Sequence, residues 1–327
     1  MMTLEQVKVA KAANPDLKIG IALSGGGIKG LCHAGALKAL EEFGIRPDVI
    51  SGVSAGSVVG ALYADGRTPE EIHEMFKGIS FRKSTVYDSA GGGFLNIKPF
   101  LRLIHKNLDA KHIEDLPIPL HIVATDLDHG MSVVFSRGDL MSSVAASCSV
   151  PVLFTPVIIN EVHYVDGGVF KNFPATTIRD KCDILIGINA SPMLAAHYKV
   201  NVANVLERVY HFMFKANIVH DREVCDVLLE PEDMGVYDTF DVDKSEEIFR
   251  LGYNYTRSFC GLPAQTDTLD GAALSGEPQS EIEKDAPIEE NGKDTKKKSN
   301  SFKLSVQSPS ELVDYLGQMI KNIRGDK

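Results

Sequence analysis

The sequence predicts an α/β protein in which a parallel or mixed sheet is flanked by helices. The first apolar segment, residues 17–23, is followed by a glycine-rich loop and by a stretch with helical spacing. A second apolar segment, residues 48–51, is again followed by a turn and an apolar helix. This alternation of strand and helix is typical of a sheet with helices on its faces. The 327 residues, 44% of them hydrophobic and 24% charged, are enough for a substantial core.

Charge, cysteine content and hydropathy argue against several classes of protein. The formal net charge of −10 is unfavourable for a nucleic-acid surface built on phosphate contacts. The five cysteines lack C-x-x-C spacing and the ten histidines lack ligand spacing, so we expect neither a metal site nor a disulfide framework. No stretch approaches the ~18 apolar residues of a membrane span. We therefore expect a cytoplasmic protein that would associate with a membrane only peripherally.

The first predicted strand, residues 17–23, leads into a predicted helix at residues 31–44. The strand is almost wholly apolar, as expected of a buried strand. In the helix, Leu37, Leu40 and Phe43 recur at helical spacing, and Gly44 is suited to end it. These two elements begin the alternation on which the fold prediction rests.

A serine stands between the second strand and the next helix, in Gly52-Val53-Ser54-Ala55-Gly56. A strand, a sharp turn and a helix with serine at the turn form the arrangement of a nucleophile elbow. Gly52 and Gly56 suit it because a Cβ would obstruct the turn, and the helix N-terminus favours negative charge on the serine oxygen. A small-residue turn without function fits the same residues, so this motif alone does not assign Ser54 a role.

The loop after the first strand, Gly25-Gly26-Gly27-Ile28-Lys29-Gly30, has two interpretations. It matches the G-x-G-x-x-G pattern of dinucleotide-binding proteins, which also carry an acidic residue at the end of the second strand. That strand ends here in Ser51-Gly52-Val53-Ser54, without a carboxylate. The loop instead offers backbone N–H groups beside the serine of the next strand, which suits an oxyanion hole. Lys29 adds positive charge or holds the loop in place.

A helix start is marked at Thr68-Pro69-Glu70-Glu71 by a capping box with proline at the first helical position. We expect this helix to end near Gly78. Residues 81–97 have no clear period and contain three consecutive glycines. We interpret them as a lid or substrate-entry loop, with an ordinary surface loop as the alternative. An amphipathic helix is predicted for residues 98–108.

From Pro119 onward the pattern is mostly that of strands. Strands are predicted at residues 120–126, 132–135, 150–156 and 162–165, with a helix at 140–147. The last of these strands ends in Asp166-Gly167-Gly168, a carboxylate followed by two glycines, and a plain tight turn would have the same sequence. Further strands at 183–190 and 227–229 and helices at 202–219 and 245–259 complete the predicted domain.

Composition divides the chain into four parts. A polar lead-in, residues 1–16, precedes a folded domain at 17–262. Residues 263–307 are polar and nearly free of aromatic side chains, which is typical of a flexible linker. Residues 308–327 begin with a capping signal and predict an amphipathic helix. We expect this helix to pack on the domain or on a second copy of the chain in a homo-oligomer, with a membrane surface as the less favoured partner.

The order of the motifs separates two kinds of serine hydrolase. A Ser-His-Asp α/β-hydrolase has several strands before its elbow, and its acid and histidine follow in that order. Here one strand-loop-helix unit precedes the elbow strand, and no motif marks a histidine. A Ser54–Asp166 dyad is therefore the better hypothesis, in which the carboxylate takes the serine proton directly. Such a base needs a pKa raised by burial.

These motifs together resemble those of the patatin-like phospholipases, which are serine-aspartate lipid acyl hydrolases. The resemblance covers about residues 17–260, and residues 145–156 are similar to the family's segment before the aspartate. It rests on three motifs in order, which hold Gly25, Gly26, Gly27, Lys29 and Gly30, then Gly52, Ser54 and Gly56, then Asp166, Gly167 and Gly168. The family implies a three-layer α/β/α sheet, Ser54 as nucleophile and Asp166 as general base. It also implies an oxyanion hole at Gly25, Gly26 and Gly27, and neither a metal nor a cofactor.

The resemblance implies a lipid or another acyl ester as substrate. Many relatives carry arginine where Lys29 stands, a difference that keeps the charge and removes the bidentate fork. A non-lipid carboxylesterase or thioesterase would share all of these residues, and a regulatory binding protein on a hydrolase fold would share the fold. The presence of both Ser54 and Asp166 counts against the regulatory protein.

Overall fold

A computed structural model describes residues 1–77, 86–87, 93–192, 212, 214, 216–237, 239 and 242–263. Met1–Ala264 form one compact unit, and Gln265–Lys327 are assigned to a second. Several predicted segments lie wholly or largely outside the described residues, namely the lid at 81–97, the helix at 202–219, the linker at 263–307 and the C-terminal helix at 308–327. Those four remain predictions.

Helices and strands alternate in the first part of the chain, as the sequence predicts. The described helices are α1 (Leu4–Ala13), α2 (Leu31–Phe43), α3 (Ala55–Ala64), α4 (Pro69–Phe76), α5 (Lys98–His105), α6 (Leu140–Cys148), α7 (Gly168–Lys171), α8 (Val219–Glu223) and α9 (Ser245–Phe259). The described strands are β1 (Ile19–Leu23), β2 (Val49–Val53), β3 (Val86–Tyr87), β4 (Gly93–Asn96), β5 (Leu120–Asp126), β6 (Met131–Phe135), β7 (Val152–Phe154), β8 (Val157–Ile159), β9 (Val162–Asp166), β10 (Ile184–Ile188) and β11 (Val227–Leu229).

A mixed sheet forms the centre of the domain, in the order β11-β10-β1-β2-β5-β9-β8, and β6 also pairs with β5. Neighbouring strands from β11 to β5 are parallel. Strands β6 and β9 are antiparallel to β5, and β8 is antiparallel to β9. A separate three-stranded sheet contains β3, β4 and β7. The predicted parallel or mixed sheet flanked by helices is thereby confirmed.

Side chains pack on both faces of the main sheet, which gives the domain its three layers. One hydrophobic cluster joins Ile21 of β1 to α2 through Leu37. A second cluster joins the next residue of β1, Ala22, to Phe173 and Ile178 in the segment after α7. Successive strand residues point to opposite faces, so these two clusters lie on opposite sides of the sheet.

Local sequence signals explain several element boundaries. Helix α2 ends at Phe43 because Gly44 adopts the left-handed conformation, with φ of 88°. Helix α4 starts at Pro69 because the side chain of Thr68 accepts from the Glu71 amide while the Glu71 carboxylate accepts from the Thr68 amide. Both boundaries are local in the chain, which is why the sequence predicts them.

Helix α1 differs from the prediction, which treated residues 1–16 as a polar lead-in. A capping box between Thr3 and Gln6 starts this helix. Leu4 and Val7 are fully buried in the main hydrophobic cluster. Two buried side chains in ten residues are too few to produce a visible period in the sequence. The compact unit therefore includes this N-terminal segment.

Candidate active site

Ser54 occupies the turn between β2 and α3 in a backbone conformation that residues other than glycine rarely adopt. Its φ is 50° and its ψ is −123°, and the residue is 9% exposed. Gly52 and Gly56 permit the turn because the backbones approach closely there. A Cβ on Gly56 would stand 2.6 Å from the Ser24 carbonyl oxygen, and one on Gly52 would stand 2.6 Å from the Gly56 carbonyl carbon. Backbone strain of this kind is common at functional turns.

Strand β5 brings the aspartate to the serine. Its residue Val123 is paired with Val53, which precedes Ser54, and its next residue, Ala124, is paired with Asp166. Strand β2 runs parallel to β5, whereas β9 runs antiparallel to it. The C-terminal ends of β2 and β9 therefore meet at the same point along β5. Two motifs that are far apart in the sequence become adjacent for this reason.

The Asp166 carboxylate is buried and contacts the serine directly. It accepts a hydrogen bond from the Ser54 side chain and another, of 2.8 Å, from the Gly168 amide to Oδ1. The residue is 2% exposed. Burial raises the pKa of Asp166 from 3.8 to about 6, and the two hydrogen bonds oppose that rise. The carboxylate is therefore mostly ionised at neutral pH and still basic enough to accept a proton.

The glycine loop lies against the elbow. A Cβ on Gly25 would stand 3.3 Å from Ser54 Cβ, and one on Gly30 would stand 2.7 Å from Ala55 Cβ. Gly27 has φ of 60°, where a side chain would be strained. Lys29 is also buried, at 8% exposure. The structure thus brings the loop motif and the serine motif together.

The three loop amides that the sequence predicts to form an oxyanion hole differ in whether they already donate a hydrogen bond. The Gly25 amide donates to the Asn172 carbonyl oxygen at 3.0 Å. For the amides of Gly26 and Gly27, no acceptor is found within the described ranges. The amides of Gly26 and Gly27 are therefore the remaining candidate oxyanion donors. The hydrogen bond of the Gly25 amide to Asn172 holds the loop in place.

Three further residues support the site, and no motif in the sequence identified them. The first is Ser147 in α6, which is fully buried. Its hydroxyl accepts from the Ser54 amide at 2.8 Å and donates to the Val123 carbonyl oxygen at 2.6 Å. Two residues later, the Ser149 carbonyl accepts from the Asp166 amide at 2.8 Å. One short segment therefore holds the backbone of both dyad residues. The only signal in the sequence was the family-like stretch at 145–156.

The second is His33 of α2, which lies beneath the glycine loop and is fully buried. Its Nε2 is 2.8 Å from the Ser24 carbonyl oxygen, which can only accept, so Nε2 carries the proton. Burial lowers the pKa of His33 to about 4, against the effect of this hydrogen bond. The imidazole is therefore neutral at physiological pH and tethers the residue before Gly25. The third is Asn172, whose side-chain oxygen lies between Gly25 and Gly168.

Neither a metal-ligand cluster nor a membrane-spanning helix is present in the described part of the chain. Among the residues that the structure describes, no group of three or more His, Cys, Asp or Glu side chains is placed to hold a metal ion. Within that same part of the chain, no helix combines the length and the apolar character needed to cross a membrane.

Comparisons with known proteins point to one family. Residues 21–178 match the family model for patatin-like phospholipases. The human protein Patatin-like phospholipase domain-containing protein 6 is 28% identical over 279 residues, which cover 74% of this chain and 20% of the human protein. Lysophospholipase NTE1 of Kluyveromyces lactis is 27% identical over 273 residues, which cover 74% of this chain and 19% of the yeast protein. The chain thus spans about a fifth of the length of these relatives.

Among solved structures, VipD from Legionella pneumophila superimposes with a TM-score of 0.51 at 16% sequence identity. The match covers 76% of this chain and 67% of VipD, and at this identity it shows a shared fold alone. The matched family segment contains the glycine loop, the turn with Ser54, and Asp166. Over residues 21–178, the chain is therefore similar to the patatin-like phospholipase family.

Proposed function

We propose that this chain is a serine hydrolase that cleaves fatty acyl esters of lipids through a Ser54–Asp166 dyad and a covalent acyl-enzyme. The observation that carries the proposal is the hydrogen bond between the Ser54 side chain and the buried Asp166 carboxylate. A nucleophile within hydrogen-bonding reach of a base is the signature of covalent catalysis. Among the described residues no histidine enters this contact, so the carboxylate is the base.

The first half of the reaction acylates the serine. Asp166 takes the Ser54 hydroxyl proton while Oγ attacks the ester carbonyl carbon. The negative charge that develops on the carbonyl oxygen is stabilised by the amides of Gly26 and Gly27, and the N-terminus of α3 favours negative charge on the serine oxygen. When the tetrahedral intermediate collapses, the bond to the alcohol oxygen breaks. The alcohol leaves with the proton held by Asp166, and the acyl group stays on Ser54.

The second half regenerates the enzyme with water. Asp166 accepts a proton from a water molecule, whose oxygen attacks the acyl carbon. Collapse of this second intermediate breaks the bond to Ser54 Oγ, which recovers the proton from Asp166. A carboxylic acid is released. A base with a pKa of about 6 suits both steps, because it is ionised at neutral pH and accepts a proton readily.

Similarity to the patatin-like phospholipases supports a lipid as the acyl donor. The names of the two relatives, a phospholipase-domain protein and a lysophospholipase, place them among lipid hydrolases. We assign this chain the same broad substrate class, fatty acyl esters of phospholipids or lysophospholipids. Its access to such substrates requires at least transient association with a lipid surface.

A labelling experiment combined with an acyl-chain series tests this proposal. The full chain and its Ser54→Ala variant are treated with a fluorescent fluorophosphonate, and hydrolysis is measured on nitrophenyl esters of increasing chain length and on phospholipid vesicles. We expect labelling only when Ser54 is present, and kcat/KM that rises with chain length. Ser54→Gly supplies a second variant without the hydroxyl.

Three outcomes would contradict the proposal. Labelling that persists in Ser54→Ala would place the nucleophile elsewhere. Turnover restricted to short esters or thioesters would replace the lipid hydrolase with a non-lipid esterase. A folded wild-type chain that is neither labelled nor active would favour a regulatory protein on a hydrolase fold.

A further inference from the structure

Asn172, just after α7, is a buried polar residue. Its side chain lies between the glycine loop and the turn that follows Asp166. It is 2% exposed. Its Oδ1 is so close to the position of a Cβ on Gly25 that the two could not coexist, and that position is 3.3 Å from Ser54 Cβ. The same oxygen is 2.8 Å from the place of a Cβ on Gly168, which is 3.0 Å from Asp166 Oδ1. The two glycines therefore leave room for one side-chain amide beside both dyad residues.

The backbone of Asn172 is tied to the same two segments. Its carbonyl oxygen accepts from the Gly25 amide at 3.0 Å. Its amide donates to Asn217 Oδ1 at 2.9 Å, and Asn217 Nδ2 donates to the Gly168 carbonyl oxygen at 2.8 Å. Asn172 is thus connected to the glycine loop on one side and to the turn after Asp166 on the other. A shift of either segment would have to move Asn172.

We propose that Asn172 is a positioning residue for the hydrolase reaction, whose uncharged carboxamide sets the distance between the glycine loop and the Ser54–Asp166 dyad. This inference rests on the proposed function of that site. Because Asn172 acts through the loop and the dyad, its effect is on the transition state and on the basicity of Asp166. Binding of the substrate ground state does not depend on it.

The neutral charge of this side chain is part of the inference. A carboxylate in the same place would face Asp166 across the Gly168 turn and would disfavour a second negative charge there. It would also oppose the charge that develops on the carbonyl oxygen. The described groups that act on Asp166 are the Ser54 hydroxyl and the Gly168 amide, and neither is charged. The Cys148 thiol is also beside it, and burial keeps that thiol protonated by raising its pKa.

The test compares three variants of the full chain on a short nitrophenyl ester across a pH series. Asn172→Asp keeps the shape and adds a negative charge, whereas Asn172→Ala removes the carboxamide without adding charge. Asn107→Asp is the matched control, because it makes the same chemical change far from the site. The Asn107 carbonyl accepts a hydrogen bond from Arg67, which follows the C-terminal end of α3. Ser54 and the site lie at the opposite end of that helix. Thermal unfolding checks that each variant is folded.

We expect Asn172→Asp to move the acid limb of the kcat/KM profile to higher pH by about one unit or more, the usual effect of a neighbouring like charge. Its plateau should fall at least about tenfold, a change of roughly 1.4 kcal/mol in transition-state stabilisation. Asn172→Ala should lower kcat by a similar factor with KM and the acid limb unchanged. Asn107→Asp should match the wild type.

Two results would overturn the inference. One is an Asn172→Asp profile that keeps the acid limb of the wild type, because a side chain that merely fills space would not change the pKa of Asp166. The other, decisive also when Asn172→Asp does not fold, is an unchanged kcat in Asn172→Ala. A wild-type chain without esterase activity or serine labelling would instead contradict the proposed function itself, so the two failures are distinguishable.

Discussion

The hydroxyl of Ser147 accepts a 2.8 Å hydrogen bond from the backbone amide of Ser54. Ser54 has φ of 50° and follows Val53, the last residue of β2. The same hydroxyl donates to the Val123 carbonyl oxygen. Ser147 therefore links β5 to the strained turn, and it satisfies a buried N–H that would otherwise be unpaired.

Ser147→Ala should lower kcat about tenfold to a hundredfold with little change in KM, since an unpaired buried donor costs about 1–3 kcal/mol. The matched control is Ser143→Ala, one turn earlier in the same helix. Ser143 is buried as well, but its hydroxyl donates only to the Asp139 carbonyl at the start of that helix. Equal losses of activity in the two variants would show that Ser147 has no special connection to Ser54.

Ser54→Ala and Asp166→Asn should each abolish turnover, and the double variant should be no worse than either single variant. Residues that act as one unit lose activity non-additively. Steady-state rates of the three purified variants test this expectation. Retained hydrolysis in Asp166→Asn, at about a tenth of the wild-type rate or more, would remove the carboxylate from the mechanism.

Thermal unfolding provides the control for Asp166→Asn. Folding raises the pKa of Asp166 from 3.8 to about 6. Between these pH values the unfolded chain binds fewer protons than the folded chain, so the free energy of unfolding falls as the pH rises. Removing the charge should therefore stabilise the fold by on the order of 3 kcal/mol at pH 8 and hardly at all near pH 4. A variant that is less stable at both pH values would indicate misfolding as the cause of lost activity.

The pH dependence of kcat/KM should show a single acid limb. Asp166 must be ionised to act as a base, so activity should rise with pH and level off above about pH 6, the value to which burial raises its pKa. His33 should contribute nothing between pH 5 and 8, because burial lowers its pKa to about 4. Rates on a soluble ester in buffers of constant ionic strength test this. A midpoint near pH 4 would be inconsistent with a buried base.

Gly26→Ala should lower kcat by ~10² to 10³, as is usual for losing one preorganised oxyanion donor, with little effect on KM. The new Cβ would stand 2.5 Å from Ser191 Oγ, which donates to the Gly25 carbonyl, so the loop has to shift. Gly66→Ala is the control, because Gly66 also has positive φ, of 98°, and no atom within 4 Å of the new Cβ. A thermal-shift screen with NAD and ATP accompanies the kinetics. A nucleotide-dependent shift that disappears in Gly26→Ala, with turnover unchanged, would favour nucleotide binding instead.

A chain that ends at Leu262 should keep the activity of the full chain on a short ester. Met1–Ala264 form one compact unit, and residues 263–305 have too few apolar side chains to contribute to a core. Limited proteolysis followed by mass spectrometry tests the boundary, with the first cuts expected inside residues 263–305. First cuts within residues 17–260 would contradict it.

Local patterns in the sequence determined much of the fold and identified the candidate site residues. The capping box at Thr68 and the stop at Gly44 each depend on residues within a few positions of one another. The motifs around Gly26, Ser54 and Asp166 are local in the same way, so residue types and their spacing were enough to predict their chemistry. Segments with few buried side chains, such as α1 with Leu4 and Val7, gave too weak a pattern.

The tertiary structure decided how those motifs meet and what supports them. Val53 and Asp166 pair with successive residues of β5, Val123 and Ala124, and no local pattern specifies this pairing. Ser147 is 93 positions from Ser54. Nothing in the sequence distinguishes it from other helical serines, because its hydrogen bond to the Ser54 amide forms only in the folded chain. The hydrogen bond from the Gly25 amide to the Asn172 carbonyl oxygen also joins residues that are far apart in the sequence.

Sequence alone determined which groups could react, because reactivity depends on residue type and neighbouring residues. Burial and long-range hydrogen bonds, which exist only in the folded chain, set their geometry and the raised pKa of Asp166.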